Sequence, residues 1–266
     1  MTHRLRGRVQ AGEPVLGTLA LLGDPFAVEA MGHAGLDWVI LDMEHTDRDM
    51  SQISGLIRAA ETSGVTPLVR LPSLDAKQVQ RALDSGAKGI VIPTVRSRAE
   101  AESLVQSVSY PPQGVRGTCR YSRAAAAGKY EFTWDAFTNT ANDEIITMAL
   151  VEDEEGAAAL EDIVELVDVV LIGRGDLSTS LGLPGQPNHP RVLEVVDRYE
   201  RAARRLSRPI AAMCYSAEEA RAAVARGATF LMFSADVNIL YRTYAEAAAA
   251  MPSSATPLEN ADGGVR

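Results

Sequence analysis

At 266 residues, 46% of them hydrophobic, the chain can bury the core of one large domain. Its formal net charge of −9, with no basic patch and no basic run interleaved with aromatics, argues against nucleic acid as a partner. No apolar run approaches the roughly 20 residues of a membrane span, so no membrane partner is expected either.

Met1–Gln10 is polar and basic and reads as a terminus without a signal peptide. Cys119 and Cys214 have neither metal spacing nor disulfide density, which fits a reducing, cytoplasmic setting. From there the pattern alternates. Val15–Leu21 reads as the first strand and Pro25–Ala34 as a helix with Pro25 near its first position. Trp38–Asp42 is the second strand, followed by a helix over Asp49–Ser63 with Asp49 as its N-cap. Thr66–Leu71 and Gly89–Thr94 form strands three and four, each followed by a helix, Asp75–Ser85 and Ser97–Ser109. Glu144–Val151 is strand five, with a helix over Glu155–Leu166, and Val169–Ile172 is strand six. A loop rich in Gly and Pro leads to helix Arg191–Leu206, then strand seven (Pro209–Cys214) and helix Ala217–Ala225. Phe230–Phe233 is strand eight, and a last helix runs from Val237 to Ala250.

Eight strands alternating with eight helices predict an α/β fold, a (β/α)8 TIM barrel, as one domain over residues 1–251. An open doubly wound sheet is the competitor, but no G-x-G-x-x-G follows the first strand. Tyr110–Asn142 is too long for an ordinary connector and reads as a functional or intersubunit loop. The polar tail, residues 252–266, is expected to be disordered.

Chemistry-bearing residues gather at strand ends, the edge where parallel α/β folds place their sites. Strand six runs into Gly173-Arg174-Gly175-Asp176, and strand five ends in Glu152. Two hard oxygen ligands with few histidines nearby suit a divalent ion such as Mg2+, Mn2+ or Co2+, completed by water and substrate. The plainer alternative is helix capping, which the run Glu152-Asp153-Glu154-Glu155 would also serve. Asp42, Glu44 and His45 follow one another at the end of strand two, either as a base with its supports or as a charge cluster leading the next helix. Arg70, inside an apolar strand, needs an anion: a substrate carboxylate or enolate, or else Asp42 or Glu44 in a structural pair. A Schiff-base mechanism would need a lysine on a strand, and Lys77, Lys88 and Lys129 all fall elsewhere.

Ile40-Leu41-Asp42-Met43-Glu44-His45 resembles the strand-two signature of the HpcH/HpaI aldolase family, which comprises metal-dependent pyruvate aldolases. The likeness continues in order through Val69-Arg70, Leu83-Asp84-Ser85-Gly86-Ala87, Val91-Ile92-Pro93, Tyr110 to Gly117, Val151-Glu152 and Gly173 to Ser178. The resemblance implies Glu152 and Asp176 as ligands of a divalent metal ion, His45 as base and Arg70 as stabiliser of a pyruvate enolate. Asp84 would support His45, and main-chain groups at Gly175 and Asp176 would hold the substrate carboxylate. It further implies pyruvate and an aldehyde as substrates. The assembly would be a homo-oligomer, often a hexamer or trimer of dimers, with the last helix exchanged and the loop after Tyr110 reaching a neighbouring site. Two departures touch substrate binding. Leu150 stands where such aldolases often place a substrate-contacting glutamine, and Arg174 replaces a common proline, offering a cation for a second carboxylate or phosphate. Arg120-Tyr121-Ser122-Arg123 would shape the acceptor pocket or pack at a subunit boundary. The activity implied is cleavage or formation of 4-hydroxy-2-oxo acids through a pyruvate enolate. The alternatives are oxaloacetate decarboxylation, citrate-type condensation, or an oxo-acid-binding barrel without catalysis.

Overall fold

Strands that are apolar on both faces have to be covered on both, and this chain covers them by closing the sheet on itself. The computed structural model describes residues 5–126 and 133–251. In order, the elements begin with α1 (Leu5–Gln10), β1 (Val15–Ala20), α2 (Pro25–His33), β2 (Trp38–Asp42), α3 (Met50–Ser63), β3 (Thr66–Arg70) and α4 (Ala76–Asp84). There follow β4 (Gly89–Ile92), α5 (Arg98–Val108), α6 (Trp134–Glu144), β5 (Ile146–Val151), α7 (Glu154–Ala158), α8 (Leu160–Leu166) and β6 (Val169–Ile172). The chain closes with α9 (Arg174–Ser180), α10 (Pro190–Arg205), β7 (Ala211–Cys214), α11 (Ala217–Ala225), β8 (Phe230–Ala235) and α12 (Asp236–Ala249). Every strand pairing is parallel, in the order β6-β5-β4-β3-β2-β1-β8-β7, so β6 and β7 flank the seam of a nearly closed (β/α)8 barrel. No described helix is long and apolar enough to cross a membrane.

Side-chain alternation sorts the strand residues into two cores. Val39, Leu41, Val69, Ile90, Val151 and Val170 pack outward under the helices. Trp38, Ile40, Leu68, Val91, Met148, Leu150, Leu171 and Phe230 fill the interior. There Trp38 stacks on Phe230 with ring centroids 4.4 Å apart, and it takes the space of a missing side chain, since a Cβ on Gly17 would fall 2.0 Å from its ring. The same parity carries the next inward positions, Asp42, Arg70 and Glu152, to the C-terminal rim. The packed interior forms the floor of the site.

Four segments depart from the expected pattern. Part of the polar N-terminus is helical: Leu5 and Val9, four apart on α1, insert into the barrel interior. Arg6 and Arg8 fasten that plug. Arg6 donates from Nε (3.0 Å) and Nη2 (2.8 Å) to Asp168 Oδ1, and Arg8 pairs with Asp37. The long connection holds α6, a helix that buries no residue of its own. The helix expected over Glu155–Leu166 is broken at Ala159, whose ψ of 11° ends α7 and opens α8. Where a loop was expected after strand six, Gly173 starts the short α9. Lys129 and the tail, residues 252–266, lie outside the described residues.

The Asp168 carboxylate accepts four hydrogen bonds, the other two from Thr147 N and Oγ1, both 2.9 Å to Oδ2. Arg6→Ala would leave this buried carboxylate without its cation, held by Thr147 alone. We expect a loss of about 2–3 kcal/mol in denaturant unfolding, with α1 the first element to exchange its amides.

Candidate active site

The register between β2 and β3 places Asp42 directly opposite Arg70. Asp42 is fully buried, and its carboxylate accepts from Arg70 Nε at 2.6 Å, from Glu44 N at 3.1 Å and from His45 N at 3.0 Å. Burial alone would raise its pKa, but the guanidinium and the two amides outweigh it and hold the carboxyl below the usual value. Asp42 therefore does two things: it fixes Arg70, and it folds the segment after β2 so that Glu44 and His45 return over the rim.

Glu44 Oε2 lies 3.0 Å from Arg70 Nη1 and 3.5 Å from His45 Nε2. It is buried and has no well-directed hydrogen bond, so its contacts are ion-pair contacts only. Burial pushes the Glu44 carboxyl above its usual value, and the nearby Glu152 and Asp42 charges add to that against the pull of Arg70 and His45. His45 itself is open to solvent, with 65% of its side chain exposed.

Across the rim, Glu152 Oε1 accepts from both the backbone N–H and the hydroxyl of Thr94, each at 2.8 Å. Its Oε2 has no protein donor among the described residues. Gly173 lies against that carboxylate, where a Cβ would come within 2.7 Å of Oε2. Asp176, three residues further, is exposed in the first turn of α9 and is likewise unpartnered among the described residues. The α9 N-terminus has no side-chain cap, so the first-turn N–H groups, those of Gly175 and Asp176 among them, remain open. Leu150 sits one inward layer below Glu152 and keeps the floor apolar.

Two carboxylates, Asp42 and Glu44, thus grip the Arg70 guanidinium, and Glu152 and Asp176 follow neighbouring strands at the same rim. Among the described residues no group of three or more His, Cys, Asp or Glu side chains forms a ready-made metal cage. Two carboxylates with free oxygens, Glu152 and Asp176, fit a hard dication that completes its shell with water and substrate.

Three residues of the sequence analysis lie elsewhere. Asp84 ends α4, five residues before β4 begins, and so stands at the N-terminal rim, opposite His45; there it accepts from Arg116 Nη2 at 2.8 Å. Within one chain it does not meet His45, and Glu44 takes that place. Arg174 lies two positions from Asp176 on α9, about 200° around the helix, and its Nη1 donates to Asn188 Oδ1 at 3.1 Å. It braces the following loop and points away from the carboxylate side. Arg123 pairs with Glu61 and donates to Ser85 O at 3.0 Å, on a groove of about 420 Å³ between α3 and α4. The sequence analysis did not single out Thr94. Nothing in its local pattern distinguishes it from any residue ending a strand.

Because Glu44 is held charged against its burial, Glu44→Gln is expected to raise Tm at pH 7. The folded-state pKa lies above the unfolded one, so this carboxyl favours folding only below about 4.5 and the benefit is lost as pH rises. The advantage of the glutamine should therefore vanish in melts below that pH. Activity should fall about tenfold, since Arg70 loses one charged contact worth about 1.5 kcal/mol.

Fold and site together define a (β/α)8 barrel with an acid-rich C-terminal rim. Residues 19–242 match the family described as HpcH/HpaI aldolase/citrate lyase. The chain belongs to that family. Over 250 residues it is 34% identical to a hydroxypyruvate/pyruvate aldolase of Pseudomonas aeruginosa, covering 92% of this chain and 91% of that one. Its structure is similar to that of an HpcH/HpaI aldolase from Desulfitobacterium hafniense, with TM-score 0.88, 34% identity, and coverage of 96% of this chain and 100% of the other. It is also similar to the citrate synthase SbnG, with TM-score 0.83, 29% identity, and coverage of 93% and 97%.

Proposed function

We propose that this protein is a divalent-metal-dependent pyruvate-type aldolase that cleaves or forms 4-hydroxy-2-oxo acids. The observation that carries the reading is the clamped guanidinium of Arg70, gripped by Asp42 and Glu44 on the same rim as the open carboxylates of Glu152 and Asp176. Glu152 and Asp176 would hold Mg2+, Mn2+ or Co2+. When bound, such an ion supplies Lewis-acid polarisation of the 2-oxo group. Open amides at Gly175 and Asp176 receive the substrate carboxylate, and Leu150 keeps water from beneath it. In cleavage His45 takes the proton of the C4 hydroxyl. The C3–C4 bond then breaks to release an aldehyde, and its electron pair passes into the enolate of pyruvate. Arg70 donates to the oxygen on which that charge develops. In the forward condensation each step reverses.

The exposed apolar residues of α12, Ile239, Leu240, Tyr241 and Tyr244 among them, support a homo-oligomer. A role for Asp84 on His45 would then run between subunits, from the N-terminal rim of one to the C-terminal rim of the next.

Incubation with pyruvate in D2O, with and without Mn2+, tests the reading by NMR of the methyl protons. Mn2+-dependent exchange that disappears in Asp176→Ala is expected. Exchange indifferent to the ion, or an absence of exchange beside tight Mn2+ binding, would refute it. A second reading, condensation of the enolate with another oxo acid, draws on the likeness to SbnG; incubation with pyruvate and oxaloacetate would reveal a tricarboxylic product.

A further inference from the structure

Two residues past the end of β4, the backbone takes a conformation that β-branched side chains avoid. Thr94 has φ +52°, in the left-handed region, where such a residue is a true outlier. Its surroundings over-determine the strain. The next amide, Val95 N, is fixed to Leu150 O at 3.0 Å, and Gly156 packs so closely on the Val95 carbonyl that a Cβ would lie 2.6 Å from it. Strain held in this way clusters where a site needs a particular placement. Here the placement is a double donation: the Thr94 N–H and hydroxyl both reach Glu152 Oε1 at 2.8 Å. One carboxylate oxygen is saturated, while the other has no protein donor among the described residues and is flanked by the bare backbone of Gly173.

We propose that Thr94 is a positioning residue that turns Glu152 so that it meets the divalent cation through one oxygen, Oε2. The inference rests on the reading of Glu152 as a ligand of that cation. It also sets the class of ion. Small octahedral ions such as Mn2+ and Mg2+ are suited by single-oxygen carboxylate contacts, whereas Ca2+ commonly takes both oxygens of a carboxylate. The hydroxyl bond therefore works against Ca2+ as well as for the smaller ions.

The test is titration of Mn2+ and of Ca2+ into the wild type and into Thr94→Ser, Thr94→Gly and Thr94→Val, followed by calorimetry, with Tm measured alongside. Thr94→Ser keeps both donors and should bind Mn2+ as the wild type does. Thr94→Gly relieves the strain but loses the hydroxyl: its Tm should hold or rise while Mn2+ binding weakens about tenfold or more and Ca2+ binding holds or strengthens. Thr94→Val, with the shape kept and the donor gone, should weaken Mn2+ binding likewise. Mn2+ affinity within twofold of wild type in the glycine and valine variants would overturn the inference while leaving the aldolase reading intact. So would a Thr94→Gly protein that loses Tm in step with affinity, which would mark the residue as structural. A wild type that binds no Mn2+ would overturn the ligand reading of Glu152 and this inference with it.

Discussion

Arg70→Met should lose about 10²–10³ in kcat, the cost of removing one donor to a developing oxyanion at about 2.7–4 kcal/mol, and it should also lose stability. The second effect follows from the Asp42 carboxylate, which is fully buried and, among the described residues, has Arg70 as its only charged hydrogen-bond donor. Without the guanidinium, a buried carboxylate keeps only two backbone amides, and breaking such a pair costs about 3–5 kcal/mol. The sign of the pH dependence separates the two. In the wild type the Asp42 carboxyl lies below its usual 3.8, so its contribution to stability is full above that pH and is lost as pH falls through the folded-state value. In Arg70→Met only the two amides oppose burial, and the carboxyl is pushed up. The variant should be weakest at neutral pH and approach the wild type in acid. A second substitution, Asp42→Asn, should restore most of the unfolding free energy of Arg70→Met and none of its activity. If the double variant recovers catalysis, Arg70 is a structural cation and the enolate role assigned to it is wrong.

How much of this was legible before any coordinates depends on which force sets each feature. Strand ends are set by parity: an apolar run terminating in Asp42, Arg70 or Glu152 already says which carboxylate or cation surfaces at the rim, because the alternating positions behind it are core. Asp84 shows what a motif leaves open: which chain its partner belongs to. Its motif suggests a partner for His45, yet its place five residues before Gly89 puts it at the far rim in its own chain. The pair Leu5 and Val9 was hidden among arginines, since two apolar residues four apart make a plug only once a barrel end and Asp168 exist to receive them. The strain at Thr94 and the role of Glu44 are tertiary facts. They depend on what lies across the rim, β5 in one case and β3 in the other, and no window of the sequence contains both partners.

Placement and charge at Glu152 can be separated by substituting a residue that carries no functional group. Gly173→Ala would set a methyl 2.6 Å from Glu152 Cβ and 2.7 Å from Oε2, well inside any real contact. Glu152 cannot simply turn aside, because Thr94 holds Oε1 with two hydrogen bonds, and Gly173 is itself tied to β5 by its N–H to Val151 O at 3.0 Å. The methyl must therefore displace the carboxylate or push β6 away from β5. Overpacking of this kind costs about 1–3 kcal/mol, and a misplacement near 1 Å at a reacting centre costs about 10²-fold in rate. Glu152→Gln is the complement: it keeps the shape and the Thr94 bonds to its amide oxygen but removes the charge. It should melt near the wild type and lose at least about 10²-fold of metal-dependent activity, because a neutral amide is a poor substitute for a hard anionic ligand. If the position of the carboxylate matters as well as its charge, the alanine variant loses activity together with stability, and the glutamine variant loses activity alone. Wild-type rates in Gly173→Ala would mean that Glu152 has freedom the geometry denies it. Wild-type rates in Glu152→Gln would remove it from the chemistry.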